Sequence, residues 1–195
     1  FKNSSIQARN IYKCANHSDC KQDIALSTTI RGFSDFIRNL QPDMIVVHGD
    51  RTEALAGALV GSLNNVFVAH IEGGEISGSI DELLRHAVSK LSHFHFVANE
   101  EAKRRLRQMG ENEETIFVIG SPDIDIMNSP NLPEWSEVKK KYNVPFDDFA
   151  LLALHPVTTD LDNLLFAANQ IVDAALESNI NYVVIYPNND LGTDI

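Results

Sequence analysis

The feature that most constrains this chain is an alternation of two kinds of apolar pattern. Short continuous apolar runs are separated by longer segments in which apolar residues recur every three or four positions. Between Gln22 and Leu40 the residues Ile24, Leu26, Ile30, Phe33, Ile37 and Leu40 mark one helical face, and Pro42 ends it. Strand-like runs follow at Met44–His48, Val66–His70, Phe94–Ala98 and Thr115–Ile119, with helix-like segments between them at Thr52–Leu63, Ile80–Leu91 and Glu100–Met109. Continuous apolar runs are how strands covered on both faces of a parallel sheet read, and their connections must cross over right-handedly. The pattern predicts an α/β fold with a doubly wound parallel sheet. Ser79, with Glu82 three residues on, has capping-box form, and Asn99 is placed to cap the helix after it.

Ser129-Pro130-Asn131-Leu132-Pro133 interrupts the alternation. Residues 1–128 are therefore expected to form a first domain, and 129–148 a linker with a helix at Glu134–Tyr142. Residues 149–195 are expected to begin a second domain, with a strand at Phe149–Leu154, a helix near Leu161–Ser178 and a strand at Tyr182–Tyr186. Two strands and two helices cannot cover both faces of a sheet, so this half is expected to need further chain or a partner.

Charge narrows the partners. With 16 basic against 27 acidic residues the net charge is −11, which repels nucleic acid and an anionic membrane surface. Apolar stretches such as Ala54–Val60 fall far short of the roughly 20 residues that span a bilayer. Two cysteines and no leading apolar segment fit a reducing cytoplasm. No Gly-rich phosphate loop with Lys, no dinucleotide fingerprint and no Gly-x-Ser-x-Gly elbow occurs, so neither ATP transfer nor hydride transfer is indicated.

Ligands of open α/β sheets bind beyond the carboxyl ends of the strands. Polar residues collect at those positions here. They are His48-Gly49-Asp50-Arg51, His70-Ile71-Glu72-Gly73-Gly74-Glu75, Gly120-Ser121-Pro122-Asp123, His155-Pro156 and Pro187-Asn188-Asn189-Asp190. Asp, Asn and Gly are also ordinary turn residues, and Asp50 in particular would serve to cap the next helix. Glu72 is harder to read that way, because a carboxylate leaving a buried strand beside two glycines is expected to be partly desolvated. Asp81 and Arg85 lie four apart, which suits a surface ion pair or an acid and a cation aimed at one ligand. Gly73-Gly74 permits either close backbone approach to a ligand or a plain tight turn. Cys14, His17 and Cys20 match no standard zinc spacing, and His93 with His95 is explained by strand alternation as well as by a metal, so no metal is assigned.

The run of motifs from His48-Gly49-Asp50-Arg51 through His70-Ile71-Glu72-Gly73-Gly74-Glu75, Ser77-Gly78, Ile80-Asp81 and Arg85-His86 resembles the hydrolysing UDP-N-acetylglucosamine 2-epimerases of bacterial sialic acid synthesis. Val97-Ala98-Asn99-Glu100, Gly120-Ser121-Pro122-Asp123, His155-Pro156-Val157-Thr158-Thr159 and Tyr186-Pro187-Asn188-Asn189-Asp190 continue the likeness in the same order. The resemblance implies two Rossmann-like domains of glycosyltransferase-B type, both incomplete here, with a nucleotide sugar between them. It implies elimination of UDP across C1–C2 to a 2-acetamidoglucal, then hydration to N-acetylmannosamine, without a metal or other cofactor.

By the same likeness Asp50, Glu72 and Asp81 match acidic residues at the reacting sugar, and His155 a histidine of the second domain. Arg51, Gly73, Gly74, Arg85, Asn188 and Asp190 match substrate-binding positions. Related readings are an epimerase of UDP-N,N′-diacetylbacillosamine, a non-hydrolysing epimerase, or a module that binds a nucleotide sugar without turnover. Family chains begin with a further strand and loop and continue to a UDP-gripping segment, neither of which appears in these 195 residues. The stretch is therefore expected to be the central part of an enzyme, weakly active or inactive alone, and homo-oligomeric when complete.

Overall fold

The computed structural model describes residues 22–156 and 160–186. The chain divides into two compact units, Phe1–Ser129 and Pro130–Ile195. The first holds helix α1 (Gln22–Leu40) and then strands β1 (Met44–His48), β2 (Phe67–Ile71), β3 (Phe94–Val97) and β4 (Ile116–Val118). Helices α2 (Thr52–Leu63), α3 (Ile80–Lys90) and α4 (Glu100–Gln108) connect them, and a short α5 (Pro122–Met127) follows. The sequence pattern locates each of these to within a residue or two except α5, which it reads as loop. Pro122 in the first helical turn and Asp123 near the dipole's positive end account for that helix.

All four strands are parallel and stand in the order β1-β2-β3-β4. Ile45 aligns with Val68, and Val47 with His70, which aligns in turn with His95 and Ile116. These residues share one face of the sheet, since neighbours in register point the same way. Helix α2 seats on that face through two glycines. A Cβ on Gly57 would come within 2.8 Å of Val47, and one on Gly61 within 2.4 Å of Val68. Ala102 and Leu106 of α4 pack with Val97 and Ile116 on the same side. Each fully buried Val or Leu there contributes roughly 1.5–3 kcal/mol by leaving water.

The expectation of strands covered on both faces does not hold for β1. Its residues alternate between exposed and buried, with Met44, Val46 and His48 exposed. The physical reason is topological. With the described strands in sequential order, right-handed crossovers deliver their helices to the same side of the sheet.

The second unit holds α6 (Trp135–Tyr142), β5 (Ala150–Ala153), α7 (Leu164–Glu177) and β6 (Tyr182–Ile185). Strands β5 and β6 pair in parallel. Leu151 and Val184 are each about two-thirds exposed, at 67% and 64%, so this small sheet is thinly covered.

Candidate active site

At the carboxyl ends of β1, β2 and β3, within the first unit, lies a hollow of about 310 Å³ lined by Gly49, Asp50, Glu72, Glu75, Arg85, Ala98 and Ser121. All but Arg85, which reaches in from the middle of α3, sit in the loops that follow β1, β2, β3 and β4, the place where parallel sheets gather convergent loops.

Glu72 is the residue under most constraint. Its φ is +66°, a left-handed conformation that costs a non-glycine residue of order 1–3 kcal/mol. The backbone is held there by its N–H, which donates to the Phe96 carbonyl at 2.8 Å. The carboxylate is held as well: Oε2 meets His48 Nε2 at 2.8 Å, and Oε1 accepts from the Ser121 hydroxyl at 3.3 Å. Its side chain is 27% exposed, so the expected partial desolvation is present. A carboxylate on a left-handed backbone, held by residues that follow or end two other strands and facing a hollow, is the arrangement in which backbone strain points to function.

Asp50 faces it from the loop after β1 and forms an ion pair with Arg85 of α3. The Arg85 side chain is only 11% exposed and donates a second bond, 2.9 Å, to the Glu75 carbonyl. Arg85 therefore does not bridge to Asp81, its i−4 neighbour. Asp81 is exposed on the first turn of α3, accepts from the Ser79 hydroxyl at 3.0 Å and does not line the hollow.

The capping box also differs from its sequence form. The Ser79 side chain makes no cap bond, and Glu82 reaches past it to the N–H groups of Gly78 and Ser77, both at 2.7 Å. Those bonds, that from Gly78 first, hold the Glu82 carboxyl below its ordinary value. Asn99 caps α4 as the sequence predicts, accepting from the Ala102 N–H at 2.8 Å.

Both glycines after Glu72 have packing reasons. Each is buried and neither lines the hollow. A Cβ on Gly73 would lie 2.8 Å from His70 Nδ1 and Ser89 Oγ, and one on Gly74, with φ +81°, 2.5 Å from the Ala102 carbonyl oxygen. Arg51 is the exposed N-cap residue of α2, its Nε 3.6 Å from a Glu53 oxygen. His155 is exposed just beyond β5 in the second unit, while Asn188 and Asp190 lie outside the described residues. So do Cys14, His17 and Cys20.

Of the residues selected from the sequence, Asp50, Glu72 and Arg85 meet at this hollow. Glu75 and Ser121 line it too, and His48 grips Glu72, although none was selected. All three stood in the strand-end motifs, where the signal was position rather than residue type. His93 and His95 are occupied structurally: His93 Nδ1 accepts from the Val68 N–H at 3.1 Å, and His95 Nε2 lies 3.4 Å from Glu111. Among the described residues no three His, Cys, Asp or Glu side chains form a metal-holding group, and no helix is long and apolar enough to cross a membrane.

A parallel α/β unit with acidic and cationic side chains gathered at its strand ends has the form of a Rossmann-like domain, and comparison with known proteins narrows the class. The profile of the UDP-N-acetylglucosamine 2-epimerase family matches residues 5–195. The chain belongs to that family. It is 49% identical over 169 residues to the UDP-N-acetylglucosamine 2-epimerase of Neisseria meningitidis serogroup B, covering 87% of this chain and 45% of that protein. It is 38% identical over 179 residues to the hydrolysing UDP-N,N′-diacetylbacillosamine 2-epimerase of Legionella pneumophila, covering 91% and 47%. The crystal structure of Methanocaldococcus jannaschii UDP-GlcNAc 2-epimerase in complex with UDP-GlcNAc and UDP superposes with a TM-score of 0.69 at 25% identity, covering 89% of this chain and 57% of that one. The fold is thus α/β of the glycosyltransferase-B type expected from the sequence. The chain spans a little under half the length of the two relatives.

Proposed function

We propose that the protein carrying this chain is a hydrolysing UDP-N-acetylglucosamine 2-epimerase, which converts UDP-N-acetylglucosamine and water into N-acetylmannosamine and UDP. The observation that carries the reading is Glu72, held in a left-handed backbone and gripped by His48 and Ser121 beside the Asp50–Arg85 pair.

In the first step the C2–H bond breaks to a carboxylate, its electrons form the C1–C2 double bond, and the C1–O bond breaks as UDP departs. In the second, water adds its oxygen at C1 while a proton returns to C2 on the opposite face, which inverts that centre. Removing a weakly acidic C2 proton needs a positioned base, and Glu72 has the geometry of one. Asp50 and Arg85 offer the neighbouring acid and cation. Asp81 and His155 remain parts of the proposal through the motif likeness, Asp81 as a third carboxylate and His155 as an aid to the leaving diphosphate. Arg51, Asn188 and Asp190 belong to it as substrate-binding positions on the same footing. A cytoplasmic location and a homo-oligomeric assembly are also proposed, argued from the sequence.

A second reading, an epimerase of UDP-N,N′-diacetylbacillosamine, is favoured by the Legionella relative. Incubating the complete gene product with each UDP-sugar in deuterated water separates them. The leading reading expects free UDP and N-acetylmannosamine with one deuterium at C2. A diacetamido 6-deoxy product alone would favour the second reading, and retained UDP-N-acetylmannosamine would refute hydrolysis. Ordinary turnover by Glu72→Gln would remove Glu72 from the chemistry.

A further inference from the structure

The polar cluster that this chemistry leaves unused lies beneath the hollow, around His70. The ring is fully buried, at 0% exposure. Its Nε2 stands 2.8 Å from the Gly49 carbonyl oxygen, which can only accept, so Nε2 carries the hydrogen and donates. Its Nδ1 stands 3.0 Å from the Ser89 hydroxyl. Burial lowers the His70 pKa from 6.5 to about 4, so at neutral pH Nδ1 bears a lone pair and accepts from Ser89. The same hydroxyl lies 3.1 Å from the Arg85 carbonyl, but its single hydrogen serves one acceptor at a time.

The partners are what give this arrangement meaning. Gly49, with φ +72°, is the turn residue immediately before Asp50. Ser89 stands one helical turn after Arg85 on α3. Gly73, the residue after Glu72, packs so closely on His70 and Ser89 that any Cβ would displace them. One ring thus touches the turn that carries Asp50, the helix that carries Arg85 and the backbone next to Glu72. We propose that His70 is a positioning residue for the reaction inferred above, bracing the Gly49–Asp50 turn against Ser89 so that Asp50 and Arg85 meet at the hollow. The kinetic consequence rests on the epimerase reading; the brace itself is geometric.

Two variants, His70→Leu and His70→Gln, test it in the complete gene product, through turnover and through amide hydrogen exchange. His70→Leu removes both hydrogen bonds and is expected to lower kcat about 30-fold or more with KM changed less than about threefold, as misplacement of reacting groups does. The Gly49 N–H, which donates to the Ile71 carbonyl at 3.0 Å, should exchange about tenfold faster or more in that variant, with α4 amides unchanged. His70→Gln keeps a donor and an acceptor and should recover kcat to within about fivefold, with Gly49 protection restored. Where His70→Leu does not fold, Ser89→Ala takes its place, with the same signs and smaller size.

Turnover of His70→Leu within about twofold of the parent, or unchanged Gly49 exchange, overturns the proposal. A Gln variant as impaired as the Leu variant overturns it too, because the ring's volume and not its hydrogen bonds would then matter. If the parent turns over no UDP-sugar, the epimerase reading fails, and the exchange measurement still decides the brace.

Discussion

His70 and His95 are register neighbours on β2 and β3, both buried, and burial lowers the pKa of each. They differ in what their ring nitrogens find. Those of His70 each meet a partner on a segment that carries a hollow-lining residue. His95 Nδ1 finds no hydrogen-bond partner among the described residues, and Nε2 lies 3.4 Å from Glu111, which also meets Lys90 at 2.7 Å. Glu111 opposes the effect of burial on His95 without reversing its direction. Two imidazoles in matching strand positions thus serve different ends. A ring satisfied at both nitrogens fixes the relative placement of the groups it joins, whereas His95, with Nδ1 unpartnered among the described residues and Nε2 beside Glu111, joins no segment that lines the hollow.

The sharpest way to break this contrast is to compare carboxylates. Glu72→Gln, at the hollow, should cost about 100-fold or more in turnover, the scale of a lost acid–base group. Glu111→Gln should stay within about twofold of the parent, its effect appearing in the melting temperature instead. Equal losses of turnover in the two variants would erase the distinction.

Packing gives the next effect. Gly73→Ala drives a methyl into His70 and Ser89, both 2.8 Å from the new Cβ, and should destabilise the chain by about 3 kcal/mol in urea unfolding. A loss under about 0.5 kcal/mol would mean that the His70 cluster yields easily and braces nothing.

The pH profile of stability comes third. His70 has a folded pKa of about 4 against an ordinary 6.5. In that window the unfolded chain binds a proton that the folded chain refuses, so stability is full above about pH 6.5 and falls as the pH falls. His70 by itself should remove about 2 kcal/mol by about pH 5, and His95 acts in the same direction. Urea midpoints measured across that range should be visibly flatter for His70→Gln; an unchanged slope would contradict the assignment.

The smallest effect is a difference between two couplings. A double-mutant cycle of Asp50→Asn with Arg85→Gln should show about 1 kcal/mol of interaction, since Arg85 is nearly buried. The cycle of Lys90→Gln with Glu111→Gln should show about 0.3 kcal/mol, because the Lys90 side chain is 52% exposed and screened by solvent. A reversed order would place the stronger electrostatic organisation away from the hollow.

Legibility followed the range of the physics involved. The helix Gln22–Leu40 and the strand Met44–His48 were readable to the residue, because period and Pro42 are local properties. That Asp50, Glu72 and Arg85 belong together was readable only from strand-end position and motif likeness. The pairing of Arg85 with Asp50 in place of Asp81 was not readable, since spacing along α3 favours the near carboxylate and only the folded loop brings the distant one closer. The grip of His48 and Ser121 on Glu72 spans residues 24 and 49 positions away, beyond any local pattern.

The amino-acid order by itself determined the alternation of strands and helices, the parallel sheet and the edge at which polar side chains collect, because periodicity and turn chemistry act over a few residues. Tertiary structure decided which carboxylate Arg85 takes, why Gly73 and Gly74 must lack a side chain, and that His70 faces Gly49 and Ser89 while its neighbour in register does not. Those outcomes depend on the distances between segments that only packing brings together, and on the burial that makes each hydrogen bond between them count.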